Sequence, residues 1–558
     1  MKKRILSVLV MLSLILSLAT PTLAASASSD KNNEKYGEGI GRVRVSTIPL
    51  PSDIILQDAT YTYSGKVFVS YKTVNDLNTK DFFNFAILND DGTKFKTIFS
   101  GVIPLKDRTG GIRYMPFQDN KRILLGDYVL ECMPNLDKCN STNLVPIVYP
   151  AGLDENNPNL TTRWSEIIIA PDNKHMAWSM FSSNSAGGQA VGVLSRKTDS
   201  YVLENVQLIS VTEPFVADPN NPGFIIPPAA GRGGEVKQFI HGGNALSVVG
   251  AKNNVTTDSV IEDLTSTNVT QITHTPGYDE TTIFSPDERL GMVMSTRFSA
   301  QTDPAIFGIM PRPIYIAGGI NGILYYYSVA GVRTFRSGDI GPALVDINRS
   351  MNDPGYKGIQ LSTDPDWVYH SPMSWHPDGK HAMWIEGRRG LDDDLHKRLQ
   401  KVTLLDYKPH KTVPVKVTSD HIPGATTDLT KLNSSSSPNV QGKIAGKHSG
   451  YIDYSSSSTS PISGISEAQY VNYSDDGINF YNGSEKYNYN YLGESVYETH
   501  LQLTGNQPGE MNLRATFSSI LGDTPARLLF DPAADGQPKS YGYATFNGIT
   551  LHVEDLIE

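Results

Sequence analysis

The chain has 558 residues, a formal net charge of −10 and 39% hydrophobic residues. At about 100–200 residues per domain, this length allows two to four domains with sizeable cores. The acidic balance argues against nucleic acid or an anionic membrane surface as the main partner, whereas a neutral or sugar-like ligand is compatible with it.

The first 24 residues have the three parts of a secretory signal peptide. Basic residues at 2–4 precede an apolar run from Ile5 to about Ala19, and small residues follow it. The run is short for a membrane span of about 20 residues, and the small residues around Ala24 fit a cleavage site. We therefore predict a secreted, extracellular protein without a membrane anchor, in which 25–45 is an N-terminal extension.

A repeated pattern then runs along the chain: an apolar stretch, a turn of the Ser-Pro-Asp-Gly type and a second apolar stretch. Its clearest turns are Ala170-Pro171-Asp172-Asn173, Ser285-Pro286-Asp287-Glu288 and His376-Pro377-Asp378-Gly379. Proline presets the backbone of a turn, and Asp, Asn and Gly tolerate its tight geometry, so each copy joins two strands as a hairpin. Units of roughly 40–60 residues without helical periodicity predict the four-stranded blades of a β-propeller.

We therefore predict an all-β protein in which residues 46–425 form a propeller. Six units can be recognised. A seventh, divided between less regular segments, is expected because a complete ring leaves no exposed edges; six and eight blades are the alternatives. The long segment 299–367 is expected to be an insertion between the second strand of one unit and the next unit, built over one face.

The two cysteines, Cys132 and Cys139, stand in a stretch that also contains Pro and Asn. In an extracellular protein this arrangement predicts a disulfide. A buried pair of free cysteines is the alternative. Two thiols alone are too few for a structural zinc site.

The composition changes after the repeats. Residues 426–449 are rich in Ser, Thr, Asn and Lys, which predicts a linker. From 450 to 558 the sequence alternates with period two and contains the hairpin turn Asp475-Asp476-Gly477, which predicts a small antiparallel β domain. Its many tyrosines fit ordinary packing in a half-buried sheet, and sugar binding is the alternative.

Several stretches of the chain resemble a known family. They are 163–173, 234–239, 274–287, 294–297, 364–367 with 375–379 and, in the last domain, 472–477 with 482–486. Through them the chain resembles the fungal secreted saponin hydrolases (soyasaponin hydrolase) and, more distantly, the periplasmic TolB-type propellers. The resemblance implies a glycoside hydrolase that splits the glucuronosyl bond between a sugar chain and a triterpenoid.

Three glutamates shortly before the turns are the candidate catalytic residues: Glu166, Glu235 and Glu280. Glycoside hydrolysis needs one carboxylic acid and one carboxylate, and the first strand of each blade lines the channel of a propeller. A structural group that bonds to the neighbouring blade is the alternative for each glutamate. Their distances from the turns differ, and with period two a one-residue change reverses the face.

The predicted substrate-binding residues are Arg297, Tyr278, Asp279, His370 and Trp367. Arg297 could hold an acidic sugar such as glucuronate through a bidentate pair, and a surface or interblade salt bridge is the alternative. His241, His370 and Tyr278 could instead bind a metal, but His370 and His376 do not form a recognised ligand spacing. We expect no metal and no other cofactor.

The expected partner is a glycoside or another carbohydrate, bound by a monomer, with no nucleic acid involved. The sequence lacks the motifs of a serine nucleophile elbow, a phosphate-binding loop or a zinc protease. Two other functions stay open. One is a non-catalytic propeller that binds glycan or protein outside the cell, and the other is a polysaccharide lyase.

Overall fold

A computed structural model describes most of the chain. The described residues are 34–104, 114–153, 160–182, 187–211, 214–228, 231–250, 257–275, 277–298, 329, 331–334, 340–353, 355–390, 395–434, 439–460, 463–519, 527–534 and 536–556. Residues 35–558 belong to one compact unit. The predicted signal peptide lies outside the described residues.

Antiparallel four-stranded blades account for most of the chain up to Leu404. Two strands precede the first blade, β1 (Glu34–Gly37) and β2 (Gly41–Ile48). The first blade consists of β3 (Ile55–Tyr61), β4 (Val67–Lys72), β5 (Phe82–Leu88) and β6 (Lys96–Val102). The second consists of β7 (Tyr114–Pro116), β8 (Arg122–Leu125), β9 (Tyr128–Met133) and β10 (Ser141–Val148).

The third and fourth blades follow, with a short ribbon between them. The third blade consists of β11 (Leu160–Ile169), β12 (His175–Ser182), β13 (Gly187–Arg196) and β14 (Tyr201–Val211). The ribbon is β15 (Val216–Ala217) with β16 (Ile225–Ile226). The fourth blade consists of β17 (Glu235–Ile240), β18 (Ala245–Gly250), β19 (Asp258–Asp263) and β20 (Val269–Gln271).

The fifth and sixth blades complete the propeller, and short helices lie beside the fifth. The fifth blade consists of β21 (Asp279–Phe284), β22 (Leu290–Ser295), β23 (Gly341–Asp346) and β24 (Ile359–Gln360), with α1 (Val332–Thr334) and α2 (Ile347–Asn352) beside them. The sixth consists of β25 (Trp367–Trp375), β26 (His381–Arg388), β27 (Lys397–Leu404) and β2. Short 3₁₀ helices cover Val74–Asp76, Leu136–Lys138, His241–Gly243 and Val553–Leu556.

The ring closes through a strand from the other end of the chain. Strand β2 pairs antiparallel with β27, with Val43 opposite Leu404 and Ile48 opposite Leu399. The first strands of the blades lie innermost, and each contacts the next around the ring, including β25 against β3. Strands from the two ends of the propeller sequence thus share the sixth blade, and this pairing closes the ring.

The described residues form six blades, the alternative count and not the expected seven. Part of the difference lies in the segment that was predicted to be an insertion. Strands β23 and β24 fall within it and complete the fifth blade, pairing Ala343 with Gln360 and Leu344 with Ile359. The run Gly341–Val345 is buried throughout, and a strand covered on both faces lacks the alternation that marks half-exposed strands.

The predicted disulfide between Cys132 and Cys139 is confirmed. It closes a short loop at the end of β9, and both cysteines are buried together with Leu136 in the core between the first two blades.

Replacing both cysteines by serine is expected to lower the free energy of unfolding by about 2 kcal/mol, because the closed loop is short. Urea unfolding of the wild type and of the Cys132→Ser/Cys139→Ser variant measures this difference. A reducing agent should destabilise the wild type and leave the double variant unchanged, and equal stability of the two proteins would contradict the prediction.

Residues 405–426, here called the strap, cross the face on which the first strand of each blade ends. Their backbone N–H groups donate to the turns of three successive blades: Val413 to the Pro286 carbonyl (2.9 Å), Lys416 to the Gly242 carbonyl (2.8 Å) and Thr418 to the Asp172 carboxylate (3.0 Å). We call this face the strap face and the opposite one, where the first strands begin, the entry face.

Beyond the strap a single antiparallel sheet of eight strands follows. After α3 (Lys431–Ser434) its strands are β28 (Asn439–Ala445), β29 (Ser449–Ser460), β30 (Ser463–Ser474), β31 (Asn479–Asn490), β32 (Ser495–Gly505), β33 (Gly509–Phe517), β34 (Tyr541–Phe546) and β35 (Ile549–His552). The strands pair in chain order. Strand β28 lies within residues 426–449, which were predicted to be a linker. Val440 and Ile444 in this strand already follow the two-residue period of the sheet.

The buried face of this sheet is rich in tyrosine. Tyr470 and Tyr497 donate to the two carboxylate oxygens of the buried Glu485, at 2.8 and 2.6 Å. These tyrosines belong to the same hydrophobic cluster as residues of the fifth and sixth blades. The contacts fit the packing interpretation of these tyrosines.

Candidate functional site

Irregularities in the pairing of the inner strands determine which side chains face the channel. Each irregularity leaves extra residues on the inner strand: Gln57 in β3, residues 164–166 in β11, Lys237 in β17, Thr281 in β21 and Ser371-Pro372 in β25. A β-bulge of this kind breaks the two-residue alternation and redirects the side chains beside it. The interrupted register thus affects the same part of five blades.

Two of the predicted catalytic glutamates meet at one lysine. The Lys237 ammonium lies 2.7 Å from Glu235 Oε2 and 3.4 Å from Glu280 Oε1, so it links the inner strands of the fourth and fifth blades. The two distances limit the separation of these carboxylate oxygens to about 6 Å. The Lys237 side chain is 1% exposed, whereas the glutamates are 19% and 18% exposed. The carboxylates are therefore the accessible part of the cluster.

The Glu280 side of the cluster contains a strained residue. The Tyr278 hydroxyl donates to Glu280 Oε2 at 3.0 Å. Next to Glu280, the bulged Thr281 has φ of 53°, in the left-handed region that β-branched residues avoid. Such strain costs about 1–3 kcal/mol and is concentrated at functional sites. The backbone thus marks the position of Glu280 independently of its charge.

Directly beside Glu280, Asp279 and Arg297 form a buried ion pair. Arg297 Nη2 lies 2.9 Å from Asp279 Oδ2, and the two side chains are 1% and 0% exposed. Arg297 Nε also donates to Ser295 at 2.7 Å, and Thr275 donates to Asp279 at 2.5 Å. Arg297 therefore forms a salt bridge, but one buried within the fifth blade and not one at the surface or between blades, and it leaves neither residue accessible to a sugar.

A buried polar network holds the segment that leads into Glu235. Gly234 has φ of +117°, and a Cβ there would lie 1.9 Å from the Val249 carbonyl oxygen, so a side chain cannot be accommodated. The Gly234 carbonyl accepts from Ser179 at 3.0 Å and from Gln189 at 3.3 Å, both in the third blade. The start of β17 is thereby fixed against its neighbour.

Glu262 is the ionisable member of this network. Its Oε1 accepts from the Gly233 N–H at 2.6 Å and from Gln189 at 3.4 Å. The carboxyl is completely buried, and burial raises its pKa to about 7, although Gly233, Arg232 and Gln189 act in the opposite direction. The position of Glu235 is thus tied to a group that titrates near neutral pH.

The other predicted site residues lie in different surroundings. Glu166 belongs to the irregular stretch of β11, and its side chain lies outside the described residues. Trp367 begins β25, where the Arg398 guanidinium covers its ring at 4.3 Å. His370, further along β25, is half-buried, and burial lowers its pKa to about 3, with Arg333 and Lys397 adding to the effect. His370 is accordingly neutral at neutral pH.

Lys237 was not among the predicted site residues. In the sequence it stands two positions after Glu235, within the strand Glu-Val-Lys-Gln-Phe-Ile, and its neighbour Val236 is fully buried. A cation in a buried inner strand requires an anionic partner, so this lysine could have been recognised from the sequence as a partner of the glutamates.

A cavity of 240 Å³ lies at the strap face. Inner-strand and turn residues of all six blades line it, among them Tyr61, Phe239, Phe284 and Trp375, and strap residues such as Val413 complete its wall. Ligand pockets are usually about 300–1,000 Å³, so this cavity is small for a glycoside. Glu235 and Glu280 lie at the starts of β17 and β21, toward the entry face, and this pair is the better candidate for a catalytic site.

No protein-family model and no curated protein matches the sequence. Among solved structures, a TolB from Agrobacterium tumefaciens is 14% identical, with 55% of this chain and 80% of that chain covered and a TM-score of 0.32. TolB from Acinetobacter baumannii is 11% identical, with 63% of this chain and 65% of that chain covered and a TM-score of 0.31. The acylaminoacyl peptidase of Pyrococcus horikoshii is 10% identical, with 80% of this chain and 57% of that chain covered and a TM-score of 0.28.

These structural neighbours are TolB-like propellers and hydrolases at low identity. At such TM-scores the likeness does not indicate an activity. The propeller fold is shown by the strand topology described above. None of the three is a saponin hydrolase. Within the described part of the chain, no helix has the length and apolar character needed to cross a membrane.

Proposed function

We propose that the chain is a secreted glycoside hydrolase whose two catalytic carboxyl groups are Glu235 and Glu280. The observation that supports this proposal is the approach of two partly exposed carboxylates from adjacent blades to within about 6 Å of each other. Retaining glycosidases hold their carboxyl groups about 5–5.5 Å apart, and inverting ones about 6.5–9.5 Å. The upper limit of about 6 Å between one oxygen of each carboxylate lies below the inverting range, and we propose a retaining mechanism.

The contacts of the two carboxylates suggest which role each performs. Glu235 lies at 2.7 Å from an ammonium group, which favours its ionised form and therefore the role of nucleophile. Glu280 lies further from the ammonium, at 3.4 Å, and its other oxygen contacts the Tyr278 hydroxyl. A hydroxyl can donate to a carboxylate or accept from a carboxylic acid, as an acid/base residue requires.

The proposed mechanism returns every proton to its starting position except the one that leaves with the aglycone, which water replaces. Glu280 gives its proton to the glycosidic oxygen while the Glu235 carboxylate bonds to the anomeric carbon, and the aglycone leaves as an alcohol. Glu280, now a carboxylate, then accepts a proton from water. The water oxygen attacks the anomeric carbon, the bond to Glu235 breaks, and both residues return to their starting states.

The substrate class rests on the sequence resemblance, which suggests a glucuronoside or related glycoside of a triterpenoid. The secreted location is supported by the N-terminal pattern and by the disulfide, which is typical of oxidising compartments. We propose a monomer that needs no nucleic acid and no membrane anchor.

Glu235→Gln and Glu280→Gln are each expected to lower kcat on an aryl glucuronoside by at least about 100-fold, because each removes one of two cooperating carboxyl groups. The loss for Glu280→Gln should be smaller with an activated leaving group, since such a group needs less protonation. Product release measured by chromatography on soyasaponin-type and aryl substrates provides the readout.

Glu204→Gln is the matched control, since its carboxylate is 46% exposed on the third blade. Full activity of both channel variants would show that the glutamates are not catalytic.

A non-catalytic glycan-binding propeller is the second candidate. The observation that favours it is Lys237, whose single charge compensates two carboxylates as an interblade clamp would. Saturable glycan binding without any product across the same panel would support this second function and contradict the first.

A further inference from the structure

The turn between β25 and β26 brings two imidazoles to one carboxylate. His376 Nδ1 lies 2.9 Å from Asp378 Oδ1, and His381 Nδ1 lies 2.8 Å from Asp378 Oδ2. The three potential ligand atoms lie within 4.8 Å of one another. We propose that His376, Asp378 and His381 form a binding site for a divalent transition-metal ion of the zinc class, a site separate from the glutamate pair.

The turn holds these groups before any ion arrives. The His376 N–H donates to the His381 carbonyl at 2.9 Å, and the Gly379 N–H donates to the His376 carbonyl at 3.0 Å, so the hairpin is closed. Asp378 Oδ1 also accepts from the Lys380 N–H at 2.7 Å. A ligand set on a rigid hairpin loses little conformational freedom on binding.

Packing fixes the His376 ring. Tyr61, from the first blade, meets it edge to face at 5.0 Å between ring centroids. Its Nε2 edge faces Gly65, where even a Cβ would lie 2.3 Å from that nitrogen. The ring therefore presents Nδ1 to Asp378.

The hydrogen bonds at His376 Nδ1 are in conflict. This nitrogen lies 3.1 Å from the Asp378 backbone N–H, which requires a lone pair on it. It also lies 2.9 Å from a carboxylate oxygen, which requires a proton on it. One nitrogen cannot satisfy both, whereas a cation bound to the lone pair and to the carboxylate would remove the repulsion.

The equivalent turns of two other blades show that the turn itself does not need this arrangement. In the third blade the residues corresponding to His376 and His381 are Ala170 and His175, and in the fifth they are Ser285 and Leu290. All three turns keep their aspartate.

The third blade also seals its histidine. His175 contacts Asp172 at 2.6 Å and Asp420 of the strap at 3.0 Å, and its side chain is only 4% exposed. In the sixth blade His376 and His381 remain 19% and 25% exposed. Among these three turns, therefore, the sixth alone combines two imidazoles with access from solvent.

The donor set indicates the class of ion. Imidazole nitrogens suit Zn²⁺, Ni²⁺ and Cu²⁺, whereas Mg²⁺ and Ca²⁺ prefer sets made of oxygen alone. Zinc ligands lie about 2.0–2.2 Å from the ion. Since the three ligand atoms already lie within 4.8 Å of one another, rotation of the two partly exposed imidazoles is enough to direct both nitrogens at one ion. In the sequence, His376 was compared only with His370, whereas the histidine that shares its carboxylate is His381.

The test uses the full mature chain, stripped with a chelator and titrated calorimetrically with ZnSO₄. One saturable equivalent is expected, and His376→Gln and His381→Gln should each weaken binding by about 100-fold or more. Co²⁺ should give the visible absorption of a low-coordinate site in the wild type and lose it in both variants. MgCl₂ should not compete.

His421→Gln is the control, because His421 lies exposed on the strap outside the cluster. Circular dichroism shows whether each variant is folded. Absence of saturable Zn²⁺ binding to the wild type, or equal affinity of the folded His376 variant, would overturn the proposal.

Discussion

Replacing Asp279 by alanine is expected to lower the free energy of unfolding by about 3–5 kcal/mol. The reason is that Arg297 would keep its charge in a site where its side chain is 1% exposed, without the carboxylate that now lies 2.9 Å away. Water cannot reach the guanidinium to replace the lost partner. The measurement is urea unfolding followed by tryptophan fluorescence.

A surface pair provides the matched control. Arg349 and Asp353 also form an Arg–Asp bridge, at 2.7 Å, but their side chains are 28% and 46% exposed. Asp353→Ala should therefore cost less than about 1 kcal/mol. The Asp279→Ala/Arg297→Met double variant removes both charges and should recover much of the loss. Equal effects of Asp279→Ala and Asp353→Ala would contradict a buried, interdependent pair.

The single variant Arg297→Met separates the two interpretations of Arg297, as a ligand of an acidic sugar or as a partner of Asp279. If Arg297 held an acidic sugar, Arg297→Met would raise KM for a glucuronoside and leave stability nearly unchanged. The contacts of Arg297 with Asp279 and Ser295 lead to the opposite expectation, a large loss of stability. For this residue the sequence suggested a contact with an acidic sugar, whereas the structure places its guanidinium against the internal Asp279.

The propeller could be predicted from the sequence because its turns repeat. The turns at Pro171, Pro286 and Pro377 each combine a preset φ with an aspartate that accepts backbone N–H groups, and this chemistry is local. The blade count was harder to obtain. It depends on the pairing of β2 with β27, which brings together residues more than 350 positions apart, and no local pattern records that contact.

The candidate site could be predicted only in part. Glu235 and Glu280 were identified by their distance from the turns, although those distances differ. Each of the two strands carries one bulge between its glutamate and its turn, at Lys237 and at Thr281, and this shared interruption leaves the two carboxylates on the same lysine. Lys237 itself was missed, because its role depends on a neighbouring blade that period-two reasoning does not include.

The glutamate that fixes the approach to Glu235 should also make stability depend on pH. Burial raises the pKa of Glu262 to about 7, above its ordinary value of 4.5. Below pH 4.5 the carboxyl is protonated in both the folded and unfolded states and contributes no difference. Between these two pKa values the unfolded chain ionises while the folded chain keeps its proton, so stability falls as pH rises. Above pH 7 the full cost is present, about 3 kcal/mol.

Glu262→Gln is expected to remove this dependence. The amide oxygen can still accept from the Gly233 N–H, which now donates to Glu262 Oε1 at 2.6 Å, but the side chain no longer ionises. At pH 8 the variant should be more stable than the wild type by up to about 3 kcal/mol, whereas at pH 4.5 the two should differ by less than about 1 kcal/mol. Urea unfolding at pH values from 4.5 to 8 measures both differences.

The exposed Glu204 provides the comparison, since Glu204→Gln should not make the variant more stable than the wild type at high pH. Glu262→Ala should behave differently again, because it removes the carboxylate that accepts from the partly buried Gly233 N–H. That variant should be less stable than Glu262→Gln at every pH and should loosen the segment before Glu235. A stability difference between wild type and Glu262→Gln that stays constant from pH 4.5 to 8 would show that Glu262 does not titrate in this range.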